Sequence, residues 1–524
     1  MIYVKRKGSE KMSKESAGKQ MSINLIASVV SFAVNVGINF FLTPFLVKEL
    51  GTEAYGFIGL ANNFVQYATV ITAALNSISG RFISIEYHKG NIEKASKYFS
   101  SVLVANLFLA AVMLAGSAIF TFFLDSIIDV PSDIVTSVKI TFALTFLTYV
   151  VSIITAIFTT AAFVKNRLDI NSIRDISSNI IKVALIVALF TFLPAKLYYI
   201  ALATLASGVF LLLANITVKR KILPEIKIKL TNFSFGLVKT ILAAGIWLSF
   251  SQLCNVLMTG LDLLICNLAI SSMIMGLLSI AKTVPMCIGN LITMLGNVFT
   301  PHYTIMYANG DIDGLVKEVK FTSKILSFIM TVPLAGFIAF GRQFYTLWQP
   351  TKTEQEIMMI QILSVLTCAM YLFSCHTQCL MMLYTVCNKL KIPVFVNLGI
   401  GLVSTLSVIL VLNFGNLGDN GVYAVAGISS LLMSIRAVTF MPIYSAKILK
   451  RKWTTFYSSI IRGWIAFAVV ITLFIIVSSL ITIQSWISLI VVCVGFGIIG
   501  YVLCVPVMFA KDEIKSFKKK LLKK

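Results

Sequence analysis

Long apolar runs alternate with short polar stretches along almost the whole chain. The runs lie near 22–47, 55–79, 98–123, 135–164, 173–193, 197–218, 240–266, 273–299, 324–340, 357–387, 393–412, 421–442, 461–480 and 486–510. An α-helix needs about 20 apolar residues to cross a bilayer core of about 30 Å, and nearly all of these runs reach that length. The pattern predicts an all-α polytopic membrane protein of about 14 transmembrane helices. The first run follows a basic stretch (Lys5, Arg6, Lys7, Lys11, Lys14, Lys19) but is too long for a signal peptide and lacks a small-residue cleavage site. It is expected to be an uncleaved first span.

Composition sharpens this picture. Of 524 residues 58% are hydrophobic and 12% charged, against roughly 25% charged in a soluble domain. A soluble enzyme, a nucleic-acid-binding protein and a disulfide-stapled secreted domain are thereby excluded as readings, whatever the net charge of +23 suggests. All nine cysteines fall in apolar runs, where the thiol acts as a small hydrophobe. All but eight of the 44 Lys and Arg fall in alternate loops and the two termini. Of the eight, Lys48, Lys196, Arg342 and Lys352 lie in the opposite loops, and Lys139, Lys182, Lys282 and Arg436 lie inside spans. Because Lys/Arg-rich loops stay on the cytoplasmic side, both termini are expected there, with the acidic Leu124–Ile134 loop outside. The charge then records topology, with some attraction to anionic headgroups of the membrane lipids. No loop exceeds about 25 residues, and none holds a glycine-rich phosphate cradle, a nucleophile elbow or a metal spacing, so no cofactor is expected.

The chain also repeats itself. A shift of 220 places Ser31 on Ser251, Asn35 on Asn255, Gly56 on Gly276, Ala61 on Ala281, Leu75 on Leu295, Tyr87 on Tyr307 and Gly90-Asn91-Ile92-Glu93 on Gly310-Asp311-Ile312-Asp313. A shift of 222 places Asn166-Arg167-Leu168-Asp169-Ile170 on Asn388-Lys389-Leu390-Lys391-Ile392. Six spans repeat as six, which gives parallel topology and lobes related by an axis along the membrane normal, as in transporters. The expected division is a cytoplasmic basic N-terminus (1–21), an N-terminal six-helix lobe (22–221), a cytoplasmic basic linker (222–239), a C-terminal six-helix lobe (240–450), two additional helices (451–510) and a basic tail (511–524).

Four motifs carry a family resemblance. They are Leu50-Gly51-Thr52-Glu53-Ala54-Tyr55-Gly56, Gly260-Leu261-Asp262-Leu263-Leu264-Ile265, Phe340-Gly341-Arg342-Gln343-Phe344-Tyr345-Thr346-Leu347-Trp348 and Asn388-Lys389-Leu390-Lys391. In order and spacing the chain resembles the polysaccharide and O-antigen flippases of the multidrug/oligosaccharidyl-lipid/polysaccharide exporter superfamily. The resemblance implies two six-helix lobes plus two tail helices, and a polyprenyl-pyrophosphate-linked oligosaccharide moved by alternating access to the outer leaflet of a bacterial cytoplasmic membrane. A proton or sodium gradient and a polysaccharide polymerase are the further partners in that picture. The outer loop of the second half reads Ala269-Ile270-Ser271-Ser272, without the first half's motif, and little functional weight is expected there.

Charges inside spans are the candidate chemistry, since each costs about 2.5–3.5 kcal/mol at the bilayer centre if it faces lipid. Lys182 and Lys282 stand near mid-depth, and Arg436 lies nearer the inner end of its span, where it could snorkel. As cations they suit a pyrophosphate, with Arg81 a weaker candidate that reads first as a topology anchor. Asp262 is the carboxylate deepest in an apolar run and is expected to pair with Lys282, with proton exchange as the competing role. Asn35, Asn255 and Asn62, the last in register with Lys282, are candidates for cavity lining or interhelical hydrogen bonds. Cys368, Cys375, His376 and Cys379 read as packing rather than as a metal site. Pro285 and Pro333 read as kinks. A cation-coupled drug exporter would suit an acidic cavity, and span one has no charge. A peptidoglycan-precursor flippase would carry cations in span one, and a membrane polymerase or transferase would need converging acid and base groups at a membrane face.

Overall fold

The computed structural model describes residues 2–509; the expected basic tail at 511–524 and the side chains of residues 1–19, 21, 22, 25 and 230 lie outside the described residues. The described residues form helices joined by short loops, without a strand. Among the described residues fourteen helices are long and apolar enough to cross a membrane. They are Ile26–Leu50, Thr52–His88, Ile92–Phe122, Val135–Val164, Leu168–Phe192, Tyr198–Ile222, Phe235–Gly260, Ser272–Ala308, Ile312–Trp348, Glu354–Val386, Lys391–Phe414, Gly418–Ile448, Tyr457–Leu480 and Trp486–Met508. These are spans one to fourteen below. The expected all-α, many-pass architecture is borne out.

The chain forms two compact units, 1–256 and 257–524. In the first, span four packs on spans two, three and six, and span five on span six; in the second, span ten packs on spans eight, nine and twelve, and span eleven on span twelve. Four pairs in one unit thus have counterparts six spans later in the other. The turns repeat too. Asn166 and Asn388 both take left-handed backbone (φ 54° and 53°), as do Gly90 and Gly310 (φ 83° and 73°). In each the backbone closes the same way, with Arg167 N–H donating to the Ala162 carbonyl and Lys389 N–H to that of Tyr384. This is the Schellman pattern that ends a helix.

The halves differ where the motif departs. Gly51, at φ 85°, turns span one into span two. At the corresponding place in the second half stands Ser271, with extended backbone and a hydroxyl that caps span eight by accepting the Ile274 N–H. A serine avoids the left-handed conformation that glycine adopts freely, so the second turn is built as an N-cap instead.

Span seven is divided between the units. Its first stretch, Phe235–Asn255, packs on span two. There a Cβ on Gly245 would lie 2.0 Å from the Ala74 carbonyl oxygen, so only glycine allows the two backbones to meet. A π-helical turn, Val256–Gly260, follows, and the helix resumes at Asp262. Spans thirteen and fourteen pack on each other and on span nine. Pro333 of span nine cannot donate to the Ile329 carbonyl one turn back, and the Tyr501 hydroxyl of span fourteen donates to that carbonyl at 3.1 Å.

Candidate functional site

Among the candidate residues the structure brings Asp262 and Lys282 together. The π-helical turn ends just before Asp262, and π turns widen a helix and redirect the residues that follow. Asp262 opens the resumed helix, and Lys282 comes from the facing wall of span eight. Lys282 Nζ lies 2.8 Å from Asp262 Oδ2 and also donates to the Thr259 carbonyl of the π turn at 2.9 Å. The two side chains are only 10% and 13% exposed. A buried pair of this kind offsets part of the desolvation of both ions. The lysine's charge is therefore already matched within its own unit.

Lys182 differs. It is half-buried in span five and has no hydrogen-bonding or ionic partner among the described residues. It stands fourteen residues past Leu168, about 21 Å along the helix at 1.5 Å per residue. Arg436 donates to Asn397 Oδ1 at 2.6 Å, tying span twelve to span eleven. The first unit has the matching tie with donor and acceptor exchanged: Arg174 of span five donates to Asn215 of span six. Arg81 is exposed. Asn35 accepts from Asn39 one turn on, and Asn255 donates to Gln252 on its own helix; Asn62 is exposed. Lys139, placed inside a span by the sequence, reaches Asp125 at 2.7 Å in the preceding acidic loop and holds that carboxyl below the usual range.

Sequence reasoning missed a polar face on span five. The helix begins at Leu168 rather than near 173, so Asp175 lies two turns inside it. With Ser172, Asp175, Ser178 and Asn179 it lines a groove of about 430 Å³ against Ser31, Phe32 and Asn35 of span one. The signal was the polar spacing 172, 175, 178/179, 182, which places all of these on one helical face. His376 is buried and bonds to Ser327, and no cluster of three or more His, Cys, Asp or Glu suited to a metal occurs among the described residues.

Residues 23–304, more than half of the chain, match the family described as polysaccharide biosynthesis protein. The chain belongs to the polysaccharide biosynthesis protein family. The resemblance to polysaccharide flippases carried by the four motifs is thereby borne out. Along 504 residues, 95% of this chain and 98% of the relative, it is 27% identical to EpsK, an uncharacterized membrane protein of Bacillus subtilis (strain 168). Among solved structures it shares the fold of a multidrug resistance MATE family transporter of the MOP superfamily in its inward-facing conformation. There the TM-score is 0.66 and the identity 15%, covering 82% of this chain and 98% of that one. The lipid II flippase MurJ in an inward closed conformation gives a TM-score of 0.66 at 16% identity, covering 91% and 97%.

Proposed function

We propose that this member of the polysaccharide biosynthesis protein family is a flippase for a polyprenyl-pyrophosphate-linked oligosaccharide, a surface-polysaccharide unit such as an O-antigen or capsule repeat. It works by alternating access in a bacterial cytoplasmic membrane, with both termini on the cytoplasmic side. It makes and breaks no covalent bond. The observation that carries the reading is Lys182, a half-buried cation inside span five without a partner among the described residues. An uncompensated charge in a membrane helix is costly and marks a ligand path. A pyrophosphate is the complement it suits. Lys282, matched by Asp262, serves as a second contact or as a purely structural tie, and Arg436 and Arg81 are the remaining cations on offer. The fold shared with a lipid II flippase agrees with a lipid-linked substrate. The handing of flipped units to a polysaccharide polymerase belongs to the same reading.

The test is reconstitution into vesicles with a fluorescent polyprenyl-pyrophosphate sugar, scoring its access to an external quencher. Lys182→Ala is expected to cut the flipping rate at least about tenfold without lowering the unfolding midpoint, since it breaks no hydrogen bond or ion pair and removes an uncompensated charge. Lys182→Arg should retain more activity than Lys182→Gln because the charge is kept. Equal rates in the Gln variant and the wild type would remove the site. The fold shared with a multidrug transporter supplies the second reading, cation-coupled drug export. Efflux of a cationic dye by the same vesicles, with no movement of the lipid probe, would establish it. Imposing a proton and then a sodium gradient identifies the driving ion.

A further inference from the structure

We infer that the groove between spans one and five is a sugar subsite, in which Asp175 and Asn179 hydrogen-bond hydroxyls of a pyranose ring while Lys182, deeper on the same helical face, takes the phosphate. This rests on the proposed flippase reading and adds the placement of the glycan.

Four observations carry it. First, the groove lies within one compact unit and holds about 430 Å³, inside the range of small-molecule sites. Second, its wall combines donors and acceptors with an apolar ring. Ser31, Asn35, Ser172, Asp175 and Asn179 face it together with Phe32. A pyranose has the same two characters, a rim of hydroxyls and apolar C–H faces that rest on an aromatic ring. Third, hydrogen-bonding capacity is left over. The guanidinium of Arg174, the charged neighbour of Asp175, is spent on the Ile170 carbonyl, Asn171 and Asn215. Neither the Asp175 carboxylate nor the Asn179 amide has a hydrogen-bond partner among the described residues, and Asp175 is exposed. Asp175 stands near the start of the apolar run, where its carboxylate stays in water, and the groove it lines supplies that hydrated space.

Fourth, charge orders the substrate. Asp175 repels a pyrophosphate and accepts from hydroxyls, and bonds from neutral donors to a charged acceptor are among the stronger ones. Lys182 lies seven residues beyond Asp175, about 10 Å along the helix at 1.5 Å per residue. The phosphate then sits at the deep end and the sugar toward the start of the span. Ser31 and Asn35 lie one turn apart on span one, and Asp175 and Asn179 one turn apart on span five. The polar groups therefore spread along a ring-sized slot instead of converging on a point as the ligands of a single cation do.

The experiment uses the purified full-length protein in nanodiscs and five labelled probes. These are farnesyl pyrophosphate alone and the same lipid carrying glucose, galactose, N-acetylglucosamine or N-acetylgalactosamine. The wild type is expected to bind at least one glycosylated probe about tenfold more tightly than the bare one, the gain expected of one or two charge-assisted hydrogen bonds. Asp175→Ala and Asn179→Leu should abolish that gain, with affinity for the bare lipid unchanged in Asn179→Leu and no weaker in Asp175→Ala, whereas Lys182→Gln should weaken both. Ser31→Ala, expected to reduce the gain in part, carries the test if Asp175→Ala does not fold, as judged by unfolding midpoints. Binding of the bare lipid with no gain from any of the four sugars overturns the subsite and leaves the flippase reading standing. Failure of the wild type to bind any probe overturns both. A sodium-dependent response lost in Asp175→Ala without sugar discrimination would make the groove a cation site and overturn the proposal.

Discussion

Deleting one member of the Lys282–Asp262 pair leaves a charge with no partner in a site where both side chains are largely shielded. Breaking a buried pair in this way costs about 3–5 kcal/mol, whereas removing both charges costs far less. Asp262→Asn and Lys282→Gln should each lower the unfolding midpoint in detergent, and the double variant should recover much of the loss. Additive losses would show that the pair is not an energetic unit. Asp262→Asn that folds normally yet loses the response of transport to a pH gradient would instead make the carboxylate a proton carrier. The pair was legible in the sequence because both residues interrupt apolar runs at similar depth across one short loop. The Thr259 carbonyl as third partner was not, since a backbone acceptor leaves no trace in side-chain identities. Asp175 was hidden by its place: it lies two residues into the apolar run that starts near 173, where a carboxylate reads as membrane edge, while the helix that aligns it with Ser172 and Asn179 starts at Leu168.

At the scale of elements, the attachment of span fourteen to span nine offers a clean test. Pro333 frees the Ile329 carbonyl, and Tyr501 occupies it. Tyr501→Phe leaves that carbonyl without a donor and should destabilise the protein by about 1–3 kcal/mol. In a Pro333→Ala background the new backbone N–H can take the carbonyl back, so the same Tyr501→Phe change should cost less than about 1 kcal/mol. Equal costs in the two backgrounds, read as shifts in unfolding midpoint, would deny the coupling. Pro333 was readable as a kink, but its partner lies 168 positions away on a helix with no motif of its own. The repeat was more legible than any single contact, because Gly90, Gly310, Asn166 and Asn388 are residue types that tolerate left-handed backbone, and each ends a helix. The division of span seven at a π turn left no mark in the hydropathy, since Val256–Gly260 is as apolar as its flanks.

For the whole molecule the sharpest expectation is the sidedness of its loops. Fourteen spans are expected to put both termini on one side, and the Lys/Arg bias points to the cytoplasm as that side. Single cysteines at exposed positions test this with a membrane-impermeant maleimide on intact cells and on inverted vesicles. Gly90, Pro224, Asp311 and Lys450 are exposed in loops expected inside; Asp129, Thr351 and Asp419 are exposed in loops expected outside. Burial decides the choice of sites. Ile226 and Gln349, in the same loops, are 0% and 1% exposed and would stay unlabelled on either side. The native thiols give a usable background, because seven of the nine lie within spans and the other two, Cys266 and Cys387, are buried. Labelling should alternate, with the first four positions reacting only in inverted vesicles and the last three only in intact cells. Reaction of Asp129→Cys and Lys450→Cys from the same side would mean that an odd number of crossings does not separate them. The fourteen-span topology would then fail, and with it the cytoplasmic entry assumed for the lipid-linked substrate.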